Sequence, residues 1–98
     1  MKVFKYNVPI NDLWMRVDLP FKAEICHVDV QNMNDKTPVK VVSFWALVDE
    51  TMQYREAREF RVYGTGYLID DQSSFKIEVV GTCKDVGGAL IWHLIERI

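Results

Sequence analysis

The stretch Val41-Val42-Ser43-Phe44-Trp45-Ala46-Leu47-Val48-Asp49 is the longest nearly uninterrupted apolar run in the chain, and its reading decides the fold. At period two it divides into Val41, Trp45 and Leu47 on one face and Val42, Phe44, Ala46 and Val48 on the other, so both faces call for burial. A helix could carry the same apolar content, but β-branched and aromatic residues dominate and the length suits a long strand. The run is therefore expected to be the central strand of a sheet, with Trp45 in the core. Truncating a core tryptophan to alanine costs roughly 3–5 kcal/mol.

Outward from this strand the same alternation recurs in short pieces. Upstream, Lys2 to Val8 reads as an edge strand ended by Pro9-Ile10-Asn11-Asp12, because proline cannot donate to a ladder and Asn-Asp favours a turn. Leu13 to Asp18 alternates again, with Leu13, Met15 and Val17 on one face, and stops at Leu19-Pro20. Ala23 to Gln31 separates into Cys26, Val28 and Val30 against Ile25, His27, Asp29 and Gln31. The loop Asn32 to Pro38 then leads into the central strand, and antiparallel pairing across it is expected.

Downstream, Glu50 to Ala57 is polar and rich in helix formers but too short to hold a helix alone, so it reads as one helical turn or a loop. Arg58 to Tyr63 points Phe60 and Val62 inward and Glu59, Arg61 and Tyr63 outward, and Gly64-Thr65-Gly66 supplies backbone freedom for a turn or bulge. Asp70 to Ser74 is a loop, Phe75 to Val80 a strand, and Gly81 to Lys84 forms a hairpin with Ala89 to Ile95 around Asp85-Val86-Gly87-Gly88. Short strands at this spacing predict one all-β domain over residues 1–98. Its form is a compact antiparallel β-sandwich or small barrel of about seven strands, with at most one short helical turn.

Composition narrows the function. At 98 residues a second domain would lack the size for its own core, while 49% hydrophobic residues suffice for one. A net charge of −2 carries no basic surplus for phosphate backbones, so nucleic acid is not an expected partner. No apolar run reaches membrane-spanning length, and Met1 to Asn7 breaks into charge too early for a signal peptide. A cytoplasmic protein with two reduced cysteines, Cys26 and Cys83, packed as small hydrophobes, is expected.

The chemistry-bearing residues do not form a catalytic pattern. Cys26, His27, Cys83 and His93 are zinc-ligand types, but adjacent residues on a strand point to opposite faces and no ligand pair has half-site spacing, so no metal or cofactor is called for. Gly64-Thr65-Gly66 lacks the lysine or third glycine of a phosphate loop. His27 with Asp29 is a local base–acid pair and reads more readily as surface. What remains is a binding inventory of aromatics, which stack planar groups, and arginines, which grip phosphate or carboxylate. Trp92 could belong to the core. The candidate ligand-binding residues are Arg58, Arg61, Tyr63, Thr65, His27, His93 and Trp92, with no catalytic residue assigned.

The segments Phe44-Trp45-Ala46-Leu47-Val48-Asp49, Arg58-x-Phe60-Arg61-Val62-x-Gly64-Thr65-Gly66, Gly81-Thr82 and Trp92-His93-Leu94-x-Glu96 resemble a family of short bacteriophage proteins. Asp18-Leu19-Pro20 and Glu24-Ile25-x-His27-Val28 belong to the same pattern, which runs over nearly the whole chain. Phe21-Lys22-Ala23 stands where a glycine-bearing turn is expected, and the loop from Asn32 to Pro38 is longer than the pattern. The resemblance implies source and fold more than mechanism. It points to a non-enzymatic accessory protein that binds a host-derived ligand as a homo-oligomer, with a sequestered nucleotide immune signal as the leading expectation. A protein–protein inhibitor of a host defence factor is the alternative, and a small nucleotide-acting enzyme using His27, His93 or an aspartate is the third.

Overall fold

The computed structural model describes residues 1–32, 40–69, 75–85 and 88–98. Its strands are β1 (Lys2–Pro9), β2 (Met15–Pro20), β3 (Glu24–Asn32), β4 (Lys40–Val48), β5 (Arg55–Gly64), β6 (Ile77–Lys84) and β7 (Ile91–Arg97). They form a three-stranded sheet in the order β1-β4-β3 and a four-stranded sheet in the order β2-β5-β7-β6. Every pairing is antiparallel. β3 packs on β6 and β1 on β5, so the two sheets lie face to face as a sandwich, and the expected all-β architecture holds. No described helix is long and apolar enough to cross a membrane.

β4 is the middle strand of the smaller sheet, as its composition requires, and its two faces have different fates. Val42, Phe44, Ala46 and Val48 are fully buried, and Phe44 meets Phe60 of the opposite sheet at 4.8 Å between ring centroids. On the outer face no second layer of described strands lies over Trp45, which is only partly buried. Lys5 sits 5.6 Å from its ring and His27 5.3 Å, one from each neighbouring strand. The expectation of a core tryptophan is thus corrected: the apolar run is continuous because β4 is central within its sheet, and only one face reaches the core.

Two strands depart from simple alternation. In β3 the register with β4 shifts between Ile25 and His27, a bulge that turns Ile25 onto the core beside Val28 and leaves Cys26 exposed. The Cys26 thiol donates to the Trp45 carbonyl at 3.3 Å, so this cysteine is no packed hydrophobe. Cys83, by contrast, is buried, and that burial, with the Asp29 charge, pushes its thiol above the ordinary value. β6 runs unbroken from Ile77 to Lys84 with its own bulge between Val79 and Gly81, where two separate pieces were expected.

Elsewhere the bounds move. Leu13 lies outside β2 and is exposed, whereas Val17 and Leu19 are buried. The segment after β4 makes no helix; Asp49 accepts from the Thr51 amide at 3.0 Å and hydroxyl at 2.6 Å in a turn, and β5 begins at Arg55. Those bonds hold the Asp49 carboxyl below its ordinary value. The turn Pro20 to Ala23 closes with Ala23 N–H donating to Pro20 O at 3.1 Å, and Lys22 takes φ +64° where glycine was expected. The expected loops Asn32 to Pro38 and Asp70 to Ser74, and the Val86-Gly87 turn, lie outside the described residues apart from Asn32 at the end of β3.

Candidate functional site

β5 ends at Gly64 and β7 begins at Ile91, and between these strand ends lies a cavity of about 310 Å³ lined by Gly64, Thr65, Tyr67, Ala89, Leu90, Ile91 and Trp92. The turn after β5 builds one wall: Tyr67 N–H donates to Gly64 O at 3.1 Å, and Gly66 takes φ +87°. That fold-back lays the Tyr67 ring so close to Gly64 that a Cβ there would sit 2.9 Å from Cε1 and Cζ. Tyr67 meets the largely buried Trp92 edge to face at 6.3 Å. The Trp92 Nε1–H is buried and has no acceptor among the described residues. Thr65 N–H donates to Ile91 O at 3.2 Å and fixes the opposite wall. No lining side chain is charged, and the lining residues Tyr67, Leu90 and Ile91 are exposed.

Of the residues singled out from sequence, Thr65 and Trp92 line this cavity, and His93 contacts it through Thr65. His93 Nε2 meets Thr65 Oγ1 at 2.8 Å and Nδ1 meets Thr82 Oγ1 at 3.0 Å, so its ring bridges β6 and the turn after β5. Because a hydroxyl both donates and accepts, this chain accommodates either tautomer and fixes the orientation of the ring.

The arginines point elsewhere. Arg58 lies on the core side of β5 and grips Glu96 twice, Nε to Oε2 at 2.6 Å and Nη2 to Oε1 at 2.8 Å, while Nη1 donates to Ala23 O at 2.9 Å. Those carboxylate bonds, outweighing burial, hold the Arg58 guanidinium above its ordinary value. Arg61 lies on the outer face of the larger sheet, 4.6 Å above the Tyr63 ring and 4.0 Å from Asp12. Tyr63 itself is buried there, edge-on to Trp14, which in turn meets Phe75 and Arg97. His27 belongs to the other sheet, against Trp45. The seven candidates therefore spread over several surfaces rather than one.

Tyr67, Leu90 and Ile91, with Gly64 and Ala89, are the lining residues that sequence reasoning missed. Tyr67 stood among the aromatics, and its place next to a Gly-x-Gly turn was the signal that could have found it. Leu90 and Ile91 read as part of an ordinary strand. Among the described residues, no cluster of His, Cys, Asp and Glu could hold a metal ion. Residues 1–98 match throughout a family described as a domain of unknown function, DUF7352. The chain belongs to that family. No curated protein and no solved structure matches it. For this DUF7352 domain the site must therefore be argued from its own geometry.

Proposed function

We propose that the chain is a non-enzymatic binding protein that takes an apolar or aromatic group of a host-derived partner into the cavity between the ends of β5 and β7. In this reading it is a phage-type accessory protein that works in the host cytoplasm as a homo-oligomer. The observation that carries it is the uncharged lining, with Tyr67 and Trp92 at right angles and exposed apolar side chains around the mouth. A pocket of this size, apolar with one or two polar groups, is the usual form of a specific binding site. The partner it supports best is a protein, because an anchoring side chain gains from apolar walls whereas a phosphate finds no cation in the lining. A host defence factor held by one inserted side chain fits that description.

A nucleotide signal is the second reading, favoured by Thr65. A base entering edge-on would meet two aromatic rings and one hydroxyl oriented by His93, with its phosphates directed to solvent.

Titrating the isotope-labelled chain with indole and with adenosine monophosphate tests the site. Shifts confined to the amides of Gly64, Thr65, Tyr67 and Trp92, and lost in Leu90→Asp, support it; no shift at millimolar probe, or shifts centred elsewhere, overturn it. Tighter binding of the nucleotide than of indole selects the second reading, and capture of a host protein that Leu90→Asp abolishes selects the first.

A further inference from the structure

We propose that the free edge of β1 is a dimer interface, where β1 of one chain pairs antiparallel with β1 of a second copy about a two-fold axis at Tyr6. The two three-stranded sheets then become one continuous sheet. This deepens the homo-oligomer part of the reading above and uses none of the residues lining the cavity.

The argument begins with the edges. β1 and β3 border the smaller sheet, and β2 and β6 the larger. β3 and β6 each carry a bulge, the usual device for spoiling an edge. β2 is short, 6 residues. β1 has 8 residues and keeps unbroken register with β4 from Lys2 to Pro9, so it is the long straight edge of the molecule.

Lysine on an edge strand ordinarily discourages pairing. Here Lys5 reaches inward instead: its Nζ passes over the Trp45 ring and donates to Gln31 Oε1 on β3 at 2.7 Å, which draws the charge away from the edge. The core side shows the same lack of a neighbour. Phe4 faces the core opposite Ala46, yet Ala46 is fully buried while Phe4 is 40% exposed. With β3 packed on β6 and β1 on β5, β2 is the terminal strand of the larger sheet on the same flank as β1. A strand added beside β1 would lie over β2.

The side chains indicate a second copy as the occupant. Residues opposite one another in an antiparallel pair share a face, so odd positions of β1 must meet odd and even must meet even. With the axis at Tyr6, Phe4 lies opposite Val8 of the second copy, Val3 opposite Pro9 and Lys5 opposite Asn7. Apolar then meets apolar on both faces, and the cation meets a neutral amide. Moving the axis to Lys5 sets two lysines against each other, and moving it to Phe4 or Asn7 shortens the ribbon. Among the described strands no other edge matches β1 in length and straightness, and a two-fold contact closes on itself without forming filaments.

Light scattering on the full chain at high micromolar concentration is the test. The expected mass is twice that of one chain, halved in Phe4→Glu and unchanged in Leu68→Glu, an exposed leucine outside β1. A monomeric wild type overturns the proposal. So does a Phe4→Glu chain that stays dimeric, or a dimer that Leu68→Glu dissolves. Should Phe4→Glu not fold, hydrogen exchange on the wild type decides: protection of β1 amides that rises with concentration supports the interface, and exchange independent of concentration overturns it. The probe titration of the cavity reads out separately, so either idea can fail alone.

Discussion

Along the flank where β3 faces β6 the sheets meet at van der Waals distance, Gly81 against Val28, and both strands are bulged. Along the opposite flank β1 presents a straight edge, and core-facing Phe4 stays half in water. The first flank is sealed by the chain's own residues, at the cost of one position where only glycine fits. The second is closed only in part, which leaves apolar surface and backbone groups available to a neighbour. Sealing by close approach and sealing by recruitment are alternative ways to end a small sandwich, and this molecule uses one on each side.

The largest expected effect breaks the sealed side. A Cβ on Gly81 would stand 2.6 Å from Val28 Cγ2 and 2.9 Å from Val28 Cβ, too near the backbone for rotation of Val28 to relieve. Gly81→Val is expected to destabilise the domain by about 3 kcal/mol in urea unfolding, the upper part of the usual range for overpacking. Val28→Ala in the same chain should recover part of that loss, since contacting residues couple. Additive losses in the double variant would show that Gly81 serves the bulge and not the approach of the sheets.

The straight edge should be more tolerant. Phe4→Ala, measured at concentrations where the chain is monomeric, is expected to cost about 1–2 kcal/mol, because much of the ring is already solvated, against the 3–5 kcal/mol typical of fully buried phenylalanines such as Phe44. A loss as large as that of Phe44→Ala would mean that the monomer closes this flank by itself.

The sealed side also separates the two thiols. Cys26 stands outside on the bulge and should react with a disulfide reagent at once, whereas buried Cys83, its thiol pushed upward, should react only on unfolding. The sign follows from burial: the folded state favours the neutral thiol, so this contribution is intact below the ordinary cysteine value and is lost as pH rises above it. Equal labelling rates at neutral pH would place Cys83 in solvent.

Much of this was legible in the sequence. Period two gave the core sides of β4 and β5 because the two sheets pack in register with that alternation, and Phe44, Phe60 and Val62 follow it. Ile25 and Cys26 escaped because a bulge changes the side of a strand without leaving a mark in composition. Trp45 was misread for a related reason: an apolar residue in a central strand is covered laterally by Lys5 and His27, which period two cannot distinguish from burial between layers. The candidate site was less legible still. Thr65 and Trp92 were found, but arginines chosen for gripping ligands are held by Glu96 or laid on Tyr63, and pairing across strands is invisible in one dimension.

The smallest expected effect concerns the turn that carries the chain from β2, on the open flank, to β3, on the sealed one. Lys22 holds φ +64° there, a conformation that costs an L residue with a Cβ roughly 1–2 kcal/mol relative to glycine. Glycine enlarges the freedom of the unfolded chain, which offsets about 0.4–1 kcal/mol of that gain. Lys22 is exposed and its ammonium lies 5.8 Å from the exposed Phe21 ring, a weak contact to lose. Lys22→Gly should therefore stabilise by about 0.5 kcal/mol, which in a domain of this size raises Tm by roughly 2–4 °C. A lower Tm would show that the Lys22 side chain holds the turn through contacts stronger than the strain it carries.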